Sequence, residues 1–355
     1  MIVVTGGAGF IGSNFIHTWL SACTEPILNI DKLSYAGNLD NLQSIANHPQ
    51  YQFVQADILD RHTLRTLLTE HQPRAVVHFA AESHVDRSIH GADDFIQTNI
   101  VGTFSLLEEL RVYYQQLTAS AQAQFRFVHV STDEVYGSLT PDAAPFTETD
   151  AYQPNSPYAA SKAASDHLVR AWHHTYGLPV ITTHCSNNYG AYQFPEKLIP
   201  LIILNAISGK DLPIYGDGQQ IRDWIYVEDH CAALRCILQD GIVGEVYNIG
   251  GEYEATNLSV VEHICQLLDE LKPRADGRSY KEQIRFVTDR AGHDRRYAVN
   301  TDKLKQQLGF TPQTDFLTGL RQTILWYLEH PEWLARVQSG GYRDWIKTQY
   351  QDQVS

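Results

Sequence analysis

The stretch Thr5-Gly6-Gly7-Ala8-Gly9-Phe10-Ile11-Gly12 decides the fold. It follows the apolar run Ile2-Val3-Val4 and opens an apolar helical segment, Phe10 to Ser21, the strand–turn–helix setting in which a glycine pattern carries meaning. Gly6 permits a tight turn, Gly9 lets backbone approach a pyrophosphate with no Cβ in the way, and Gly12 lets helix pack close to strand. A pyrophosphate would sit at the helix N-terminus, against unpaired N–H groups. Asp31 lies nineteen residues after Gly12, closing the next apolar run, Ile27 to Ile30. Its carboxylate there accepts from adenosine ribose hydroxyls and repels an added phosphate, so the expected cofactor is NAD, with Lys32 the one neighbour favouring NADP.

Working outward, the apolar runs Tyr51 to Gln55, Ala75 to Phe79, Phe125 to Val130 and Val180 to His184 alternate with helical stretches Thr63 to Glu70, Asp93 to Gln116 and Tyr158 to Tyr176. That alternation predicts an α/β fold, a Rossmann-type doubly wound parallel sheet with right-handed crossovers. After about Asn188 the pattern shortens. Pro213 to Tyr215, Trp224 to Val227, Val246 to Ile249 and Ile284 to Val287 read as strands among helices near Asp229 to Leu238 and Ser259 to Leu271. This predicts a smaller α+β substrate-binding domain. The expected division is 1–188 for the dinucleotide-binding domain, 189–340 for the second domain and 341–355 for a C-terminal tail. A segment near 220–245 returns to the first domain, with Trp224 to Asp229 the candidate strand. Leu139 to Pro157, rich in Pro, Thr and Asp, reads either as a loop over the site or as a surface connection.

Composition narrows the function classes. The chain has 355 residues, 27 Lys plus Arg against 41 Asp plus Glu, a formal charge of -14 and 43% hydrophobic residues, which suits a globular protein of about two domains. The acidic balance argues against nonspecific nucleic-acid or membrane-surface binding, both of which need a basic face. The five cysteines include no Cys-x-x-Cys pair and read as free thiols in a reducing compartment. No signal peptide and no apolar run of the ~20 residues a membrane span needs is visible, so a cytoplasmic location is expected. Sixteen histidines contain no His-Glu-x-x-His, and no metal is expected.

Tyr158 and Lys162 are spaced i and i+4 at a helix start, so both point from one face. An adjacent ammonium and a cationic nicotinamide favour the phenolate, which turns a tyrosine into a base. Ser131-Thr132, at the end of the fifth run, supply a hydroxyl to the same substrate oxygen. Asp133 and Glu134 follow directly. Two adjacent buried carboxyl groups do not both ionise easily, so one stays protonated as an acid while the other acts as a base. Asp57, after the third run, either touches the adenine amino group or caps the helix that follows. Ala80-Ala81-Glu82-Ser83, past the fourth run, falls where a sheet's carboxyl edge meets a cofactor.

These runs resemble the extended short-chain dehydrogenase/reductases and, within them, the dTDP-glucose 4,6-dehydratase family. The likeness covers nearly the whole chain, through Thr5 to Gly12, AAESHVDRS (80–88), STDEVYG (131–137), YAASKAASD (158–166), SNNYGAYQFPEKLIP (186–200), GDGQQIRDWIYVEDH (216–230) and DRAGHDRRYA (289–298). It implies oxidation at carbon 4 of the sugar by NAD, with Tyr158 and Thr132 taking the hydroxyl proton. Glu134 then takes the carbon 5 proton, Asp133 protonates the hydroxyl leaving carbon 6, and hydride returns to carbon 6. It adds Phe10, Ile11, Lys32, Ile58, Thr98 and Asn188 to the cofactor set. For the sugar nucleotide it implies the cations Arg222, Arg290, Lys197 and His293, with Asn187, Glu196 and Asn257 as polar partners. Ser83, His84, Leu198, Pro213, Tyr215 and Asp289 complete that set. A homodimer is implied through the helices Asp93 to Gln116 and Tyr158 to Tyr176, with Phe104, Leu106, Leu107 and Leu110 as an apolar run in need of cover. Ala191 and Ala291 stand where the family usually has proline, and Asn300 where it has aspartate. The competing readings are a 4,6-dehydratase of another nucleotide-glucose, a sugar-nucleotide 4-epimerase, which has no use for the Asp133-Glu134 pair, and a non-catalytic NAD-binding regulator.

Overall fold

In a computed structural model, which describes residues 1–338, thirteen strands are present among the described residues. They are β1 (Ile2–Thr5), β2 (Ile27–Asp31), β3 (Tyr51–Gln55), β4 (Ala75–His78), β5 (Arg126–Thr132), β6 (Val180–Cys185), β7 (Asn187–Tyr189), β8 (Leu212–Tyr215), β9 (Ile221–Tyr226), β10 (Val246–Ile249), β11 (Glu254–Thr256), β12 (Ile284–Val287) and β13 (Arg296–Tyr297). Seven form one parallel sheet in the order β10-β6-β5-β4-β1-β2-β3. The order reverses at β1, which opens a crevice at the strands' carboxyl ends. Register brings the chemistry to that edge: Thr5 lies beside Ile30 and His78, and Thr132 beside Cys185.

Both faces of the sheet are covered, which is why its strands read as unbroken apolar runs. Ile2 and Val4 point to a core with Phe15, Ile16 and Trp19 of the helix Phe10–Ala22, and with Leu234 and Ile237 of the helix Val227–Asp240. Val3 points the other way, to Leu64 and Leu68 of the helix Arg61–His71 and Leu106, Leu107 and Leu110 of the helix Thr103–Gln116. A separate core, with Ile202, Ile203, Trp224, Val260, Ile264 and Phe316, lies under the smaller sheets: β9 carries β7, β11 and β13, and β12 pairs with β8.

Three expectations change. The strand that returns to the large sheet is β10, beside β6, whereas Trp224 to Tyr226 belong to β9 of the smaller sheet. The hydrophobic character of both strands was visible, but their partners depend on where the helix Val227–Asp240 packs. The helix expected over Asp93 to Gln116 is interrupted by a π-helical turn at Ile96–Gly102. There Asn99 bonds the backbone N–H and carbonyl of Glu82, and Gly102 sits so close to Ile58 that a Cβ would lie 2.7 Å from its Cδ1. Finally, Leu106, Leu107 and Leu110 are fully covered within the chain itself. The exposed apolar side chains nearby are Ile89, Ile96, Val101, Phe104 and Tyr176. The stretch Leu139 to Pro157 is tied to the Arg296–Asn300 segment, with Leu139 N–H on Arg296 O and Phe146 N–H on Ala298 O. It contributes no wall to the cavity described next. The tail 341–355 lies outside the described residues.

Candidate active site

The crevice at β1 holds an elongated cavity. Its floor is the glycine turn. Gly6 has φ +73°, and a Cβ there would lie 2.5 Å from Ala80 N, so the turn needs glycine on two counts. A Cβ at Gly12 would meet Gly6 O at 2.4 Å, so this glycine lets the helix pack onto the turn itself. The helix Phe10–Ala22 begins at Gly9 with no side-chain cap and no acidic residue in its first turn. Its N-terminal N–H groups face a cavity lined by Gly6, Gly9, Phe10, Ile11 and Gly12, a fit for a pyrophosphate.

Asp31 ends β2 with its carboxylate held by backbone donors, Ala8 N–H at 2.9 Å and Leu33 N–H at 2.8 Å. Lys32, which argued for NADP, is engaged elsewhere: Nζ donates to Thr98 Oγ1 at 2.8 Å and lies 3.5 Å from Glu82. Asp57 lines the cavity with Ile58, and its Oδ1 accepts from Leu59 N–H. It is not a helix cap, because Asp60 caps Arg61–His71 through His62 and Thr63 N–H. Ala80, Ala81, Ser83, Thr98 and Asn188 line the same cavity. The fit is to a dinucleotide with free ribose hydroxyls.

At the far end Thr132, Asp133, Glu134, Tyr158 and Lys162 share the cavity wall. The Thr132 hydroxyl donates to Asp133 Oδ1 at 3.4 Å, its oxygen accepts from Glu134 N–H at 3.3 Å, and its nearness favours the Tyr158 phenolate. Burial, then the Glu134 charge, push the phenol well above its ordinary value, so positive charge must be brought to the ring before it serves as a base. Lys162 does not bond it; the buried ammonium donates to Val130 O at 2.9 Å. Asp133 is 3% exposed, and its Oδ2 has no hydrogen-bond partner. Burial first, and then Glu134, hold its carboxyl well above the usual range. Glu134 is raised by burial as well, but Arg290, Lys197 and Arg222 oppose the rise. Asp133 is therefore the better-suited acid of the pair and Glu134 the readier base.

The residues expected to hold the sugar nucleotide fall into two groups. Ser83, Asn187, Glu196 and Lys197 line the cavity, with Lys197 Nζ donating to Ser83 O at 2.8 Å. His84, Leu198, Pro213, Tyr215, Arg222, Asn257, Asp289, Arg290 and His293 lie outside its walls. Of these, Arg290 and Tyr215 meet on Asp86, Arg222 stacks on Tyr297 at 4.3 Å, and His293 bonds Asp289 at 2.6 Å. His84 packs against Glu196, whose carbonyl lies 3.4 Å from Nε2. Leu198 packs on the smaller core, Pro213 sits two residues before Tyr215 on β8, and Asn257 opens the helix Asn257–Leu271 with its N–H on Gln220 O. His293 differs from expectation: burial and Arg290 push it down to about 4, so it meets a ligand as a neutral ring. Asp86 was missed. It sits inside the 80–88 run, but nothing in a lone aspartate there announces a partner some two hundred residues away. Among the described residues no group of three or more His, Cys, Asp or Glu side chains is placed to hold a metal, and no helix is long and apolar enough to cross a membrane.

A dinucleotide crevice that ends on a Thr, Tyr and Lys set defines a short-chain dehydrogenase/reductase type of enzyme. A family model described as GDP-mannose 4,6 dehydratase matches residues 3–323. More particularly, the chain belongs to the dTDP-glucose 4,6-dehydratase family. It is 55% identical over 358 aligned positions to the dTDP-glucose 4,6-dehydratase of Shigella flexneri, covering 99% of each. A crystal structure of the Bacillus anthracis dTDP-glucose 4,6-dehydratase in complex with NAD matches with a TM-score of 0.83 and 47% identity, over 95% of this chain and 99% of that one. The Streptomyces venezuelae enzyme, solved with NAD and TYD bound, matches with a TM-score of 0.86 and 44% identity over the same shares.

Proposed function

We propose that this chain dehydrates dTDP-glucose to dTDP-4-keto-6-deoxyglucose with NAD as its resident cofactor. The observation that carries the reading is the Asp133 carboxyl, buried and partly unpartnered, with its proton affinity raised, beside a second carboxyl on one cavity wall with Tyr158. A 4-epimerase has no step that needs such an acid, and family membership sets the other nucleotide-glucose substrates and a non-catalytic regulator behind dTDP-glucose.

NAD bound in the crevice would supply the hydride acceptor for carbon 4 and the hydride donor for carbon 6. The chain's own groups do the rest. N–H groups at the start of Phe10–Ala22 hold the pyrophosphate, Asp31 the ribose and Asp57 the adenine. Tyr158, with Thr132 beside it on the cavity wall, accepts the 4-hydroxyl proton. Glu134 removes the carbon 5 proton, which the new ketone acidifies, Asp133 gives its proton to the hydroxyl leaving carbon 6, and Glu134 returns the proton to carbon 5 as hydride reaches carbon 6. Arg222, Arg290 and Lys197 hold the diphosphate, arginine through paired hydrogen bonds.

Residues 1–188 with the returning segment form the cofactor half in this reading, and the residues after 188 the sugar-nucleotide half. The exposed Ile89, Ile96, Val101, Phe104 and Tyr176 support a homodimer through the helices on that side. Free cysteines, all five of them, suit the cytoplasm. Incubation with dTDP-, UDP-, CDP- and GDP-glucose, followed by mass spectrometry, tests the activity: loss of one water from dTDP-glucose is expected, and no loss from any of the four would refute it.

A further inference from the structure

Four residues beyond Lys162, on the same face of the helix Pro157–Tyr176, lies a second charged side chain, Asp166. Its carboxylate is buried and held by three side chains from two strands: His129 Nε2 at 2.9 Å and Ser131 Oγ at 2.9 Å on β5, and His184 Nε2 at 3.1 Å on β6. His184 is fastened in turn by Tyr136 OH, 2.7 Å from Nδ1, and by Tyr152 OH, 3.0 Å from Nε2. The mechanism above uses none of these groups except as scaffold.

A carboxylate only accepts, so Ser131 and the ring nitrogens facing it donate. Those bonds keep Asp166 ionised, far below the usual range. His129 is pushed down to about 4 and is neutral. A buried anion gains from a nearby cation as well as from hydrogen bonds, since an unpaired buried charge is costly. The Lys162 ammonium answers it: burial lowers its affinity for the proton, and Asp166 is the foremost group restoring it. Geometry ties the two through β5. Lys162 donates to the carbonyl of Val130, and Val130 stands between His129 and Ser131, the two strand residues that Asp166 grips.

We infer that Asp166 is a positioning residue which, through His129, Ser131 and His184, holds the Lys162 ammonium charged and in place for Tyr158. The titratable groups facing the pair are Tyr158 on the same helix, His78 on β4, His129 on β5, His184 and Cys185 on β6, Tyr136, and Tyr152 from the 139–157 loop, with Asp133 and Glu134 beyond Tyr158. His78 and His129 are held neutral by burial, the Cys185 thiol is pushed up to about 12, and burial raises the phenols of Tyr136 and Tyr152.

The inference rests on the dehydratase reading for one of its two tests. Asp166→Asn keeps the shape and removes the charge, so Lys162 should lose its proton at lower pH. The alkaline fall of kcat should then begin about one pH unit lower or more, and Asp166→Glu, which keeps the charge, should restore the wild-type limb. A drop of equal size at every pH, with the limb unmoved, would overturn the inference. The second test needs no turnover. In denaturant unfolding, Asp166→Asn and Lys162→Met each leave one buried charge unpaired, while the double variant leaves none, so the double should be more stable than the sum of the singles. Additive losses would overturn the pairing. If Asp166→Asn alone does not fold, recovery of folding in the double variant supports the pairing and failure of both overturns it. A wild-type protein inactive on dTDP-glucose would refute the function while the unfolding cycle still decided the role of Asp166.

Discussion

Arg290 Nη1 donates to Asp86 Oδ1 at 2.9 Å, and Tyr215 OH donates to the other oxygen of the same carboxylate at 3.2 Å. Asp86 lies in the short helix Val85–His90 beside the cofactor crevice, whereas Arg290 and Tyr215 come from the later half of the chain. The carboxylate, 4% exposed, thus aims a guanidinium whose charge also reaches Glu134. Hydrogen bonds to charged groups contribute about 1.5–3 kcal/mol, so Asp86→Asn should raise KM for dTDP-glucose roughly tenfold or more, with a smaller change in kcat. Steady-state kinetics on the wild type and this variant separate the two, and an unchanged KM would show that Arg290 is aimed by other groups.

Tyr158→Phe keeps the ring and its packing on Phe95 but removes the phenol oxygen that faces the cavity beside Thr132. Turnover should fall by roughly 10²- to 10⁴-fold, the usual loss of a general base. Absorbance of reduced nicotinamide should not rise on mixing with substrate, and a rise as fast as in the wild type would remove Tyr158 from the oxidation.

The adjacent carboxyls should fail differently. Glu134→Gln loses the base, so exchange of solvent deuterium into carbon 5 should be suppressed, whereas Asp133→Asn loses only the acid and should let exchange continue while water loss slows. Both variants should lower kcat by about 10²-fold or more. Mass spectrometry of recovered sugar nucleotide in deuterated buffer reads the difference, and equal exchange in both variants would contradict the division of labour.

Protein denatured after purification should release mainly NAD. Asp31 accepts two backbone N–H groups at the ribose end, and the neighbouring Lys32 is engaged by Thr98 and Glu82 rather than free to meet an added phosphate. Chromatography of the released nucleotide showing mainly NADP would reverse the role of Asp31.

Light scattering at micromolar concentration should give the mass of a dimer, and Phe104→Asp should shift it towards the monomer. Phe104 is partly exposed and meets Trp172 of the helix Pro157–Tyr176 edge-on at 5.8 Å, so the charge would enter the centre of the apolar patch. A monomeric wild type would set the dimer aside.

Local chemistry made much of this readable from the chain alone. The glycine turn, Asp31, and the spacing of Tyr158 and Lys162 depend on a single turn, strand end or helix face, and a period of two or 3.6 residues is enough to place them. Alternating apolar runs and helices likewise determined the parallel sheet, because strands buried on both faces can be built only that way. Which of two neighbouring aspartates caps a helix was not readable: Asp57 and Asp60 are equivalent in composition, and only the path of the backbone assigns the cap to Asp60.

Tertiary structure decided whatever depends on distant partners or on burial. It placed β10, not Trp224 to Tyr226, at the sheet edge, covered Leu106, Leu107 and Leu110, and made His293 neutral beside Arg290. It also buried Asp133 beside Glu134, which raises its proton affinity, and made Asp166 the foremost charge favouring the Lys162 ammonium. A sequence carries the identity of an ionisable group, but its charge is set by the desolvation and fields of residues far away along the chain, and those exist only once the chain has folded.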